Sequence, residues 1–191
     1  MDQRTAVVLA AVIIVVAVIA VLGWFYSRRR RSQALRDRFG PEYDRVLRQE
    51  HNVRKAEGVL EFRAERRKKL PIRALDQAAR DEFSRRWTDV QSKFVDDPKG
   101  AVGEADALII EVMKARGYPM SDFDQRAADI SVDHPLVVDH YRAAHTITLN
   151  HNRGKASTED LRKAMVHYRA LFDELLNEGH NATTAPKEAI G

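Results

Sequence analysis

STEDLRKAMVHYRALFDELL, residues 157–176, decides the fold class. Leu161, Ala164, Met165, Tyr168, Leu171, Phe172, Leu175 and Leu176 recur at three- and four-residue intervals, which lines one face of a helix and suits no strand. Ser157 or Thr158 is the natural N-cap and Gly179 the stop. A stripe this regular requires an apolar partner surface, so the preceding chain is read for helices to supply it.

Working back, the DHP stretch SVDHPLVVDHYRAAH (131–145) opens a helix expected from about His134 to Asn152 and ended by Gly154. Asp133 or His134 is expected as its cap, with Pro135 in its first turn and Asp139 paired to Arg142. Val137, Tyr141, Ala144 and Thr148 form its buried side. A short helix from Ser121 or Asp122 to about Ile130 precedes it. Before that, Asp97-Pro98 starts a helix that presents Val102, Ala105, Leu108, Ile109, Val112 and Met113 and ends at Gly117 in RGYP. Asp76 caps another, lined by Ala79, Phe83, Trp87, Val90 and Phe94. Gly40-Pro41 separates a short helix, Ser32 to Phe39, from a long charged one expected to run unbroken over 41–69 with Tyr43, Val46, Leu47, Val53, Ala56 and Leu60 on its stripe. No strand alternation of useful length occurs. The expected fold is all-α, an N-terminal transmembrane helix followed by a four- to five-helix bundle.

The transmembrane expectation rests on AVVLAAVIIVVAVIAVLGWFY (6–26), 21 positions without a charge. A helix of that length spans roughly 30 Å, the thickness of a bilayer's hydrocarbon core. Twelve of the residues are Val, Ile or Leu, and at about −0.4 kcal/mol each they favour insertion by roughly 5 kcal/mol. The run is too long for a signal peptide and ends in Trp24, Phe25 and Tyr26, where an aromatic belt belongs. Arg28, Arg29, Arg30 and Arg31 follow at once, and arginines beside a span stay in the cytoplasm. The expected placement is therefore the cell membrane, single-pass, N-terminus outside and the C-terminal domain cytoplasmic. These four arginines are also the expected lipid-proximal residues, facing anionic headgroups.

The domain layout that follows is an anchor segment (1–27), a basic juxtamembrane segment with the long charged helix (28–75), the bundle (76–179) and a flexible tail (180–191). From Ser27 to Leu75 there are 16 Lys+Arg against 7 Asp+Glu, whereas Asp76 to Gly191 has 15 against 20. The basic excess is local, so a nucleic-acid partner is not expected. The expected partners are the lipid bilayer and a protein, or a second copy through the 41–69 helix.

Catalytic chemistry finds little footing. There are no cysteines, which excludes disulfides, thiolate zinc ligands and thiol nucleophiles. The histidines at 134, 140, 145 and 151 are spaced by six, five and six residues, where one helix would need three or four to offer two ligands to one ion. No Glu stands three before a His, and no glycine-flanked serine or phosphate-binding glycine loop occurs. No cofactor is implied. Asp133, His134, His140 and His145 remain the metal candidates only if another helix adds ligands. With Asp129 they define the alternative to a cytoplasmic interaction or scaffolding module, namely a membrane-tethered metal-dependent or hydrolytic enzyme built on the cluster at 129–145.

FVDDP (94–98), RGYP (116–119), SVDHP (131–135) and the 157–176 stretch together resemble a family of uncharacterised bacterial proteins with one N-terminal span, a basic juxtamembrane segment and a helical body. The similarity covers most of the region from Phe39 to Leu176 and implies no activity, substrate or site residue.

Overall fold

The computed structural model describes residues 3–177, with side chains described from residue 13 onward except residue 14. The described residues are all-α, eight helices and no strand: α1 (Gln3–Phe39), α2 (Pro41–Glu50), α3 (Val53–Lys68), α4 (Gln77–Lys93), α5 (Pro98–Ala115), α6 (Phe123–Asp133), α7 (Val138–Asn152) and α8 (Thr158–Asn177). The expected tail at 180–191 lies outside the described residues. So do the side chains of 6–12 and 14 in the expected span. Among the described residues no helix is long and apolar enough to cross a membrane.

The chain divides into two compact units, Met1–Leu60 and Glu61–Gly191. In the first, α1 does not stop at the end of the apolar run. The separate helix expected over 32–39 is its last part, because nothing between Tyr26 and Phe39 is a helix breaker. Gly40 then takes φ 46°, a left-handed turn that costs glycine little, and Pro41 starts α2. Leu35, Phe39, Tyr43, Val46, Ala56 and Leu60 are buried. Glu57 accepts hydrogen bonds from Ser32 Oγ at 2.5 Å and Tyr43 Oη at 3.1 Å, tying α1 and α2 to α3. The Arg36 guanidinium lies 4.7 Å over the Tyr43 ring.

The single helix expected over 41–69 is two helices. His51 breaks it at φ 52°, its N–H bonding back to Leu47 O at 3.0 Å, and Asn52 restarts the chain by accepting from the N–H groups of Arg54 and Lys55. The stripe changes phase at the break, so Val53 is exposed rather than buried.

In the second unit α5 and α8 form the centre, with α4 on α5 and α7 on α8. All eight apolar positions expected on α8 are buried, as are the six expected on α5. The Trp87 and Phe172 rings stack at 4.7 Å between centroids. Capping follows the sequence. Asp76 accepts from Ala79 N at 2.8 Å, Asp97 from Gly100 N at 2.9 Å, Asp122 from Gln125 N at 2.8 Å, and Ser157 Oγ from Asp160 N at 3.2 Å. Gly117 takes φ 92° after α5, and Tyr118 N reaches Met113 O at 3.0 Å to satisfy the helix end.

The boundary between α6 and α7 departs from expectation. α6 runs three residues past Ile130, so Asp133 is its last residue and His134 its C-cap, and α7 opens at Val138 rather than His134. Pro135 is the cause. It disfavours helical geometry at His134, which sits at φ −127°, ψ 55°.

Candidate functional site

The residues of the 129–145 cluster are divided among four partner surfaces. Asp129, 2% exposed, accepts from Arg66 Nε at 2.9 Å and Gln125 Nε2 at 2.9 Å. Asp133 accepts from Arg67 Nε, and Ser131 Oγ accepts from Arg63 Nη1 at 3.2 Å while donating to Ala128 O at 2.7 Å. The residues of α3 from 61 to 68 thus meet α6 as three arginines along one polar face, so Arg66 and Arg67 are interhelical partners. Neither Asp133 nor His134 caps α7. His134 is buried and its Nδ1 lies 3.1 Å from Glu174 Oε1 on α8.

His140 and His145 go elsewhere. The Nδ1 atoms of His140 and of His167 on α8 are 2.8 Å apart. The His145 ring stacks on Phe123 with centroids 3.6 Å apart and planes within 9°. Burial holds its pKa below the ordinary 6.5, with the Asp106 carboxylate opposing and Arg126 reinforcing the shift. The candidate ligands Asp133, His134, His140 and His145 therefore do not converge on one ion, and among the described residues no group of three or more His, Cys, Asp or Glu could hold one. The expected Asp139–Arg142 pair is present at 2.9 Å.

A second polar network inside the bundle lies beside His145. Tyr168 Oη donates to Asp106 Oδ1 at 2.9 Å and lies 3.1 Å from Thr148 Oγ1, which also reaches Ala144 O at 3.0 Å. Arg126 Nε donates to Tyr141 Oη at 3.2 Å. Burial pushes both tyrosine hydroxyls up from their ordinary 10, Tyr168 far up with Asp106 adding to the effect, Tyr141 with Arg126 opposing. Both stay protonated at any physiological pH. They serve as hydrogen-bond donors or acceptors, not as bases or nucleophiles, and they fix α5, α6, α7 and α8 in register.

Sequence reading missed Asp106 and Arg126. Asp106 was nonetheless marked by its position, four residues after Val102 and three before Ile109, on a face otherwise buried. It also missed Arg116, taken only as part of a helix end. Its side chain is 2% exposed, with Nη1 donating to Leu175 O at 3.0 Å near the end of α8 and Nε to Arg73 O at 3.3 Å. A cation at a helix C-terminus complements the dipole as well as the orphan carbonyl.

No family model, curated protein or solved structure matches the chain.

The expected lipid-proximal residues sit on α1 in the first unit. Arg28 lies 5.5 Å over the Trp24 ring and Arg30 5.8 Å over Tyr26. Every described residue from 15 to 27 is exposed, and the large apolar ones among them are 51% to 66% exposed.

Proposed function

We propose that the chain is a single-pass membrane protein, N-terminus outside, whose helical body is a cytoplasmic platform for interaction or scaffolding. The observation that carries the anchor is the apolar surface of α1. From Val15 to Tyr26 every residue of the helix is exposed among the described residues, and leaving an apolar surface of that length in water is costly. Lipid supplies the cover. The aromatic residues and the arginines stacked on them then fall at the headgroup level, where amphipathic rings and long cations are favoured. The platform reading is supported by how the body's polar groups are used. Arg66, Arg67, Arg116, Asp106 and Tyr168 hold helices to one another, which builds a rigid surface.

The absence of cysteine makes the test clean. Single cysteines at Gln3 and at Val95 in intact cells should react oppositely with a membrane-impermeant maleimide, position 3 at once and position 95 only after permeabilisation. The chain should also stay with membranes through carbonate extraction. Release by carbonate would refute the anchor, and labelling of position 95 in intact cells would refute the orientation.

A further inference from the structure

His140 on α7 and His167 on α8 are half-buried, their rings tilted by 40° with centroids 5.1 Å apart. Among the described residues each bonds only to the other, Nδ1 to Nδ1 at 2.8 Å. Among the described residues no carboxylate hydrogen-bonds to either ring, unlike His134 with Glu174. Burial and the neighbouring His140 ring both hold the His167 pKa below its ordinary value. Neutral imidazole is the form that ligates metals.

The separation itself selects among ions. With metal–nitrogen bonds of about 2.0–2.1 Å, two nitrogens 2.8 Å apart subtend roughly 85–90° at the ion. That is the cis angle of a tetragonal or square-planar site. A tetrahedral zinc angle would require the nitrogens to part to about 3.3 Å. In the ligating state the shared proton moves from Nδ1 to Nε2 and each ring turns until the two Nδ1 lone pairs converge on an ion beside the line they now share as a hydrogen bond. Half-exposure leaves the remaining positions to water.

We propose that His140 and His167 form a two-histidine site across α7 and α8 for a divalent ion of tetragonal preference, copper(II) or nickel(II), completed by solvent. The site is independent of the membrane reading, because both ligands belong to the second unit. It also differs from the single-helix sites that spacing rules exclude, since one ligand comes from each of two packed helices 27 residues apart.

The test is titration of the full chain in detergent with copper(II), read by electron paramagnetic resonance and by competition with a chelator of known affinity. One equivalent should give a tetragonal signal with nitrogen coupling from two rings. His140→Ala and His167→Ala should each weaken binding by about tenfold or more, and His140→Gln/His167→Gln, which keeps polar side chains at the contact, should lose it as fully. His151→Ala, in the last turn of α7, should match the parent chain. Unchanged helicity by circular dichroism accompanies each variant. Parent-like copper affinity in either single variant or in the Gln pair would overturn the proposal, as would the lack of saturable binding in the parent.

Discussion

The ion pair between Arg66 and Asp129 should respond very differently to loss of one partner or the other. Asp129 is almost wholly buried, its side chain 2% exposed, while that of Arg66 is 34% exposed. Oδ1 of Asp129 takes both of its hydrogen bonds, from Arg66 and Gln125, and Oδ2 is buried with no hydrogen-bond partner among the described residues. Arg66→Met therefore strands a carboxylate with one amide donor. Breaking a buried pair in this way costs about 3–5 kcal/mol; the partial exposure of Arg66 and the surviving Gln125 bond reduce the expected cost to about 2–3 kcal/mol. Asp129→Asn leaves only an arginine that can turn into water, for about 1 kcal/mol. In the double variant Asp129→Asn should cost almost nothing or recover stability, a coupling of about 1–2 kcal/mol. Trp87 reports the second unit by its fluorescence once Trp24→Phe removes the other indole, so guanidinium unfolding of the detergent-solubilised chain measures each value. Equal losses in the two single variants, or a larger loss for Asp129→Asn, would refute the assignment of the penalty to a stranded charge.

Gly117→Ala should be severe for two reasons acting together. The position has φ 92°, and a Cβ there would meet Pro71 O at 2.5 Å, so a loss of roughly 2–4 kcal/mol is expected against about 1 kcal/mol for the backbone term alone, measured in the same unfolding assay. His145 should give the body an acid limb. Its folded pKa lies below the ordinary 6.5, so the unfolded chain binds the proton more readily, and this contribution is complete above about 6.5 and is lost as pH falls below it. His145→Phe, which can still stack on Phe123, should flatten stability between pH 7 and pH 5 relative to the parent, and an unchanged slope would refute the assignment.

Helix identity was legible because capping and periodicity are local. Asp76, Asp97, Asp122 and Gly117 each act within a few residues of where the sequence marks them. The break at His51 lacked the usual glycine or proline, and its one available sign was Asn52, a good N-cap inside an apparently continuous pattern. Pro135 was read as a helix opener when its stronger effect falls on the residue before it. The polar pairs were harder for a different reason. Arg66 meets Asp129 across 63 residues and His140 meets His167 across 27, and intervals within one helix carry no information about such partners. A charge turned toward the core is marked in sequence only as an anomaly of position, a mark that Asp106 carries between Val102 and Ile109 and that Arg116, at a helix end, does not.

The uninterrupted course of α1 from Gln3 to Phe39 gives the first unit a phase as well as an attachment. Each residue of a helix turns the chain by about 100° and advances it about 1.5 Å. Removing one residue between Tyr26 and Ser32 would thus rotate Leu35 and Phe39 by more than a quarter turn relative to Trp24, while moving them scarcely at all along the axis. Removing seven, Ser27 to Gln33, would nearly restore the angle, to within about 20°, but draw the two ends together by about 10 Å. Length and angle are therefore separable here by deletion alone, and any twist imposed on the apolar half of α1 reaches the buried ends of α2 and α3 undiminished by a hinge.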